Sequence, residues 1–229
     1  MSAGFSRIFD SRRAATAFLA VAILLAYANI WHDAFVFDDL VLISRDRFLT
    51  SWRYAGVIFS THLGDGFSGV YYHSPFYRPL QMLLYLIVYQ VAGPSTVTFH
   101  ALNLALHTAN AGLLYMLGAR LGFRKDATLC AALLWALHPV HTEAVTYISG
   151  TADPICALFQ LTGIIILARG YDCKSVLASS ACLILALLSK ESAVAFPLLA
   201  MGLLFYQHED RRSPKIYLKT WPFWAISGI

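Results

Sequence analysis

Charged residues are scarce in this sequence, at 13% of 229 residues, whereas hydrophobic residues make up 58%. A soluble domain carries about 25% charged residues, so the composition argues against a soluble globular protein. The four cysteines form no CxxC pair, which argues against a zinc site or a disulfide framework. The sequence contains no P-loop, nucleophile elbow or dinucleotide fingerprint. Its basic residues occur in short clusters between apolar blocks, which fits membrane topology better than nucleic-acid binding.

The apolar residues form long blocks, as is typical of membrane helices. Six blocks predict membrane-spanning helices, at 14–31, 99–119, 127–148, 155–168, 175–189 and 192–206. A seventh block, 79–93, is short, starts with Pro79 and is followed by a Gly-Pro pair. A spanning helix needs about 20 residues. We therefore interpret 79–93 as a horizontal or re-entrant amphipathic helix.

The positive-inside rule orients these spans. With 79–93 kept at the surface, loop 32–98 is external and twelve of the 17 basic residues are cytoplasmic. These twelve are Arg7, Arg12, Arg13, Arg120, Arg124, Lys125, Arg169, Lys174, Arg211, Arg212, Lys215 and Lys219. A cytoplasmic loop at 207–220 then follows the membrane region 1–206, and 221–229 begins a further span of a chain that we expect to be incomplete. The "AYA" at 26–28 leaves a cleaved signal peptide open as an alternative to an uncleaved first span.

This topology gathers acidic residues at the external ends of the helices. Ionisable groups at the membrane surface are costly and indicate function. We therefore favour functional roles for the charged residues in apolar contexts, namely Asp38, Asp39, Glu143, Asp153 and Lys190. Glu191 lies beside Lys190 at the same external turn, between two short helices. Asp46 and Asp65 are interpreted as ordinary polar loop residues.

The second predicted span carries a polar stripe of His100, Asn103, His107 and Asn110. Spacings of three and four residues place all four on one helix face. We expect this face to point into the bundle and to form interhelical hydrogen bonds. His100, at the external end, has the best chance of reaching a substrate.

The segment "HPVHTE" at 138–143 lacks the HExxH pattern of a metalloprotease. A metal held by His138, His141, Glu143 and Asp153 is conceivable but not favoured, and no cofactor is predicted. Pro139 is expected to kink the helix.

Five segments occur in an order that resembles the transmembrane and tetratricopeptide-repeat O-mannosyltransferases and their bacterial relatives. They are "FVFDDLVLI", "YRPLQMLLYLIVYQVAG", "HALNLALHTANAGLLYMLGARL", "ALHPVHTEAVTYISGTADP" and "LLSKESAVAFPLLA". The resemblance runs from about residue 14 to 206. It implies an all-α polytopic membrane protein with the C-type glycosyltransferase fold, in which a long first external loop contains surface-lying helices. The tetratricopeptide repeats and several further spans of that family are absent from this sequence.

The resemblance also implies roles for particular residues. Asp38 and Asp39 match the acidic pair, and one of them is expected to act as the general base. Asp153 matches a further carboxylate, while Lys190 and Arg78 are expected to neutralise the leaving lipid phosphate. The remaining candidate substrate-binding residues are His100, His138, His141, Glu143 and Glu191.

The expected function is transfer of a sugar, mannose by resemblance, from a polyprenyl phosphate to a Ser or Thr hydroxyl of a polypeptide. The expected location is a multi-pass protein of the bacterial inner membrane or the endoplasmic reticulum membrane, with its site on the external or luminal face. Its partners are then the lipid-linked donor, the acceptor and the bilayer. A lipid or glycan acceptor and a non-catalytic scaffold remain alternatives. A transporter is disfavoured, because the acids cluster at helix ends and no inverted repeat is evident.

Overall fold

The computed structural model describes residues 11–67, 74–208 and 217–228, so the predictions for Arg7, Arg211, Arg212 and Lys215 lie outside the described residues. These residues form helices, short turns and one isolated β-bridge, with no β-strand among them. The α-helices are α1 Arg12–Ala26, α2 Ala55–Ile58, α3 Pro79–Ala92, α4 Thr96–Arg120, α5 Lys125–Ala136, α6 Thr142–Thr146, α7 Ala152–Leu167, α8 Cys173–Leu187, α9 Phe196–Gln207 and α10 Trp221–Ser227.

Helix boundaries follow residues with particular backbone preferences. Pro79 occupies the first turn of α3, where its missing N–H costs nothing. The same helix stops at Gly93, whose φ of 64° is readily available only to glycine. At the start of α8, the Asp172 side chain accepts a hydrogen bond from the Ser175 N–H. These local signals set where the apolar helices begin and end.

The long helix α4 is the centre of the bundle and contacts α1, α3, α5, α6 and α7. Its 25 residues extend for about 37 Å at 1.5 Å per residue. Helix α5, with 12 residues, and α7, with 16, are shorter. The His107 ring meets the Ala136 carbonyl at the end of α5, and the Asn110 side chain donates to the Pro154 carbonyl in the first turn of α7. Helices α5 and α7 therefore both reach only the middle of α4, and α6, the turn Ile148–Thr151 and α3 pack against its first half.

The polar stripe of α4 is buried, as expected. Asn103 donates to the Tyr147 carbonyl, His107 bonds the Ala136 carbonyl and Asn110 donates to the Pro154 carbonyl. Interhelical hydrogen bonding is confirmed for these three side chains. These side chains bond backbone carbonyl oxygens at breaks between helices, where the carbonyls would otherwise lack hydrogen-bond partners.

The segment predicted as one span at 127–148 is instead divided. Helix α5 ends at Ala136, and Pro139 begins a separate 3-10 turn, Pro139–His141. Helix α6 and a second turn, Ile148–Thr151, follow before α7 begins. A proline has no N–H and cannot continue the hydrogen-bond ladder of α5, so the predicted kink becomes a break. One helical segment in the described part of the chain, Ile148–Leu167, is long and apolar enough to cross a membrane.

The loop between α1 and α4 folds into its own apolar cluster around α3. Leu42, Ile43, Phe48 and Leu49 pack against Tyr85 and Leu86 of α3, and all are buried. Asp46 is buried beneath this cluster, and its Oδ1 accepts a 2.7 Å hydrogen bond from the Phe48 N–H. The loop is therefore a packed unit that shares its apolar cluster with α3 and with Phe99 of α4.

Candidate functional site

The two adjacent aspartates of the loop have opposite environments. The Asp39 side chain points inward and is 1% exposed, whereas Asp38 is exposed. Oδ1 of Asp39 accepts hydrogen bonds from the N–H and the hydroxyl of Ser149, and Oδ2 accepts one from the Val36 N–H at 3.1 Å. Asp39 therefore holds the loop against Ser149 through Oδ1, and its Oδ2 fixes the conformation of the loop itself at Val36. Asp38 keeps its carboxylate open to solvent.

The backbone just before Asp38 is strained. Phe37 has a φ of 46°, which a bulky side chain rarely adopts. Its ring is 83% exposed. The backbone N–H of Asp38 donates to the Tyr147 hydroxyl at 3.1 Å. Strain of this kind persists only when surrounding contacts enforce it and tends to occur at functional sites. Here the contacts of Asp39 and Tyr147 hold the Asp38 backbone in place.

The turn Ile148–Thr151 is the anchor point for three separate parts of the chain. Asp39 binds Ser149 from the loop, and Gln81 and Tyr85 of α3 donate to the Ser149 and Ile148 carbonyls at 2.9 and 2.8 Å. From α4, Asn103 accepts a hydrogen bond from the Thr151 hydroxyl. The turn therefore sets the position of Asp38 relative to α4 and α7.

Two cavities lie on either side of the segment 140–143. The outer cavity, of about 800 Å³, is lined by Phe37, Val140, Glu143 and Tyr147 among others. Asp38 is not a lining residue, but it directly follows Phe37 and its N–H donates to the Tyr147 hydroxyl. The inner cavity, of about 380 Å³, is lined by Asn110, Trp135, His141, Glu143, Asp153 and Lys190 among others. Val140 and Glu143 line both. The inner cavity thus unites four of the predicted site residues, and the outer one adjoins a fifth.

The two predicted cations are each paired with an acid. Lys190 Nζ donates to both Asp153 carboxylate oxygens at 2.6 Å, and the two side chains are 25% and 46% exposed. Arg78 binds Glu191 through two hydrogen bonds, Nε to Oε1 at 3.1 Å and Nη2 to Oε2 at 2.9 Å. Lys190 and Glu191 are adjacent, so one turn carries both ion pairs.

The Arg78 pair has an electrostatic consequence. Burial alone would raise the pKa of Glu191, but the hydrogen bonds and charge of Arg78 outweigh it and hold that pKa below its usual range. Glu191 is therefore an ionised partner that keeps Arg78 oriented.

Two predicted histidines lie apart from the cavities. His138 is exposed, and its Nδ1 accepts the Val140 N–H as the cap of the Pro139–His141 turn. His100 is 1% exposed and both its ring nitrogens lack a hydrogen-bond partner among the described residues. Neither residue lines one of the two cavities, and the substrate contacts expected of them stay predictions.

No group of three or more His, Cys, Asp or Glu side chains within residues 11–67, 74–208 and 217–228 is arranged to hold a metal ion. His138, His141, Glu143 and Asp153 therefore do not form the conceivable metal centre in this structure.

Tyr147, Ser149 and Trp135 were missed by sequence reasoning. Tyr147 and Ser149 contact Asp38 and Asp39 across 109 and 110 residues of chain. Their only signal is their place within "TYISGTADP", next to Asp153. Trp135 gave no signal, because an aromatic residue in an apolar helix is ordinary.

Several curated proteins similar to this chain are protein O-mannosyl-transferases. One is Protein O-mannosyl-transferase F38B6.6 of Caenorhabditis elegans, 31% identical over 83% of this chain and 28% of the relative. Others are TMTC4 of Homo sapiens, 35% identical over 60% of this chain and 20% of the relative, and tmtc2 of Xenopus laevis, 33% identical over 71% and 19%.

These relatives confirm the resemblance read from the sequence, and the chain is homologous to part of these TMTC-family proteins. The chain spans 19% to 28% of the length of the three relatives. No protein-family model matches the chain. No solved structure matches it either.

Proposed function

We propose that this chain transfers a mannosyl group from a polyprenyl phosphate to a Ser or Thr hydroxyl of a polypeptide, at the external or luminal face of a membrane that it spans several times. The names of the relatives support the sugar and the protein acceptor. One observation carries the proposal. Asp38 is exposed, and near it lie two cavities that share Glu143 as a lining residue.

Asp38 is the proposed general base. Its carboxylate is exposed, whereas both oxygens of Asp39 are engaged in hydrogen bonds. A hydroxyl becomes an effective nucleophile when a positioned base removes its proton in the transition state. The acceptor hydroxyl would occupy the outer cavity beside Phe37 and lose its proton to Asp38 while its oxygen bonds to the anomeric carbon. Asp39 is then a positioning residue that acts through the backbone of the loop.

The donor occupies the inner cavity in this proposal. As the new glycosidic bond forms, the bond from the anomeric carbon to the phosphate oxygen breaks, and the polyprenyl phosphate leaves with the bonding electron pair. Lys190 and Arg78 are the cations available to stabilise this negative charge. Each would exchange part of its contact with Asp153 or Glu191 for the phosphate. The acids keep the two cations ordered until the donor binds.

Transfer by the purified chain tests the proposal. The chain is reconstituted with polyprenyl-phosphate mannose and a Ser/Thr peptide, and mannosyl peptide is measured for the parent, Asp38→Asn and Asp126→Asn. Asp126 is an exposed acid in the first turn of α5, is paired with Arg124, lines neither cavity and serves as the matched control. We expect a loss of at least about 100-fold in Asp38→Asn, the lower range for a general base, and parental activity in Asp126→Asn.

Three results would contradict parts of this proposal. Equal transfer by the parent and Asp38→Asn would remove Asp38 from the role of base. Loss of transfer in Glu143→Gln with retention in Asp38→Asn would move that role to Glu143, which lines both cavities. No transfer by the parent from the mannosyl lipid would refute the proposed activity of this chain.

A further inference from the structure

Three aromatic rings form one wall of the inner cavity. The proposed mechanism gives these rings no role. Trp135 stacks on His107 with ring centroids 5.0 Å apart and an angle of 21°. His141 packs on Trp135 at 4.4 Å with an angle of 50°. All three residues line the cavity. The Ala136 carbonyl can only accept, so His107 Nε2 carries the hydrogen in their 2.9 Å contact and this ring is held in one orientation.

A buried acceptor next to this wall lacks a partner. Asn110 is fully buried and lines the inner cavity. Its Nδ2 donates to the Pro154 carbonyl at 2.8 Å, which fixes the orientation of the amide. Oδ1 has no hydrogen-bond partner in the part of the chain that the structure describes. An unsatisfied buried acceptor costs free energy, so a donor supplied by a ligand or by water would stabilise it.

We propose that Trp135, His141 and Asn110 form the subsite that binds the sugar ring of the donor, an inference that rests on the proposed function. A hexose has one face of C–H groups and an edge of hydroxyl groups. The C–H face packs on the electron-rich face of an aromatic ring, as other positively polarised edges do. A ring hydroxyl donates to Asn110 Oδ1. The cavity combines this aromatic wall with an amide and charged side chains, and ligand sites generally pair apolar surface with a few placed polar groups.

The position of this wall relative to the charges fits a sugar phosphate. Lys190 and Asp153 line the same cavity as Trp135, so a phosphate near Lys190 would put its attached hexose within the aromatic part. Glu143, which the inner cavity shares with the outer one, then lies on the side from which the acceptor arrives. The subsite would thereby select the sugar and orient its anomeric carbon toward Asp38.

Binding, measured apart from transfer, tests this subsite. Polyprenyl-phosphate mannose and polyprenyl phosphate without sugar each compete against a photoreactive polyprenyl phosphate for the purified chain. We expect the parent to prefer the mannosyl lipid. Trp135→Ala and Asn110→Ala should reduce that preference about tenfold or more. A site that forms a hydrogen bond with a substrate hydroxyl discriminates strongly against a ligand that lacks the hydroxyl. Binding of the bare lipid phosphate should stay parental. Trp52→Ala, an exposed tryptophan of the loop, is the matched control.

Each other outcome overturns the proposal in an identifiable way. If both variants transferred mannose and preferred the mannosyl lipid as strongly as the parent does, the aromatic wall would contact water only. The subsite would then be refuted, and the proposed function would stand. Equal loss of both lipids in a variant would assign a structural role, and Trp135→Phe, which preserves stacking on His107, would then recover both together. If the parent binds neither lipid, both the subsite and the proposed function fail.

Discussion

Asp39→Asn tests whether Asp39 stabilises the loop while the adjacent Asp38 serves catalysis. Asp39 is 1% exposed and accepts three hydrogen bonds, two that join the loop to Ser149 and one from the Val36 N–H inside the loop. An asparagine keeps one oxygen for the Ser149 donors. Its NH₂ group then replaces the oxygen that accepts the Val36 N–H, so two donors face each other. Asp38→Asn changes an exposed side chain and disturbs none of these hydrogen bonds.

The magnitude follows from the hydrogen bonds that the substitution removes. A hydrogen bond to a charged group contributes about 1.5–3 kcal/mol. Removing the buried charge recovers part of its desolvation cost, so we expect Asp39→Asn to lower the free energy of unfolding by about 2 kcal/mol. For a chain of this size that corresponds to a Tm lower by roughly 4–8 °C. Asp38→Asn should stay within about 0.5 kcal/mol of the parent, as surface substitutions usually do.

Thermal unfolding of the detergent-purified chain measures both variants against the parent. Asp39→Asn should melt earlier and Asp38→Asn should melt with the parent while losing transfer. The reasoning would be refuted if Asp38→Asn melted as early as Asp39→Asn, or if Asp39→Asn kept the parental Tm. The first result would mean that Asp38 also stabilises the fold, and the second would mean that the loop does not depend on the Asp39–Ser149 contact.

Two further predictions concern other charged groups. Burial raises the pKa of Asp46 to about 6, against the opposing Phe48 N–H and Arg47, so the native state holds its proton more tightly than the unfolded chain. The free energy of unfolding should therefore fall as pH rises from about 4 through 6. In unfolding titrations, Asp46→Asn should be more stable than the parent by up to about 3 kcal/mol at pH 8 and equally stable at pH 4. The same pH dependence of stability in both proteins would refute this. Lys190→Met should weaken binding of polyprenyl phosphate and cost less than about 1 kcal/mol of stability, because its pair with Asp153 is partly exposed. Adding Asp153→Asn to Lys190→Met should restore stability but not lipid binding. If both were restored, the role of Lys190 would be only to neutralise Asp153.

Sequence reasoning located helices where long apolar blocks and boundary residues agree. The predicted block at 79–93 corresponds to α3, and 99–119 falls inside α4. The break at Lys190-Glu191 lies between α8 and α9 as expected. The division of 127–148 was only half anticipated. Pro139 indicated a kink, but the break also depends on His107 and Asn103 of α4, which supply partners to the freed carbonyls.

The candidate site was less predictable because its contacts are distant in sequence. Adjacent aspartates have identical chemistry, and their sorting into one exposed and one buried side chain depends on Ser149, 110 residues away from Asp39. Charge counting likewise identified Lys190 and Asp153 separately, without indicating that they bind each other. Periodicity reports which face of a helix is buried, but not which cavity that face borders.

The unequal lengths of the helices have a consequence for the surrounding lipid. Helices α5 and α8 span about 18 Å and about 22 Å along their axes, less than a hydrocarbon core of about 30 Å. In the proposed bilayer, the lipid beside them would have to thin or give way to water. A polyprenyl phosphate arriving there would lower its headgroup with the dip in the membrane surface. The donor would then reach Lys190 by sideways diffusion within its own leaflet, with its isoprenoid tail remaining in hydrocarbon throughout.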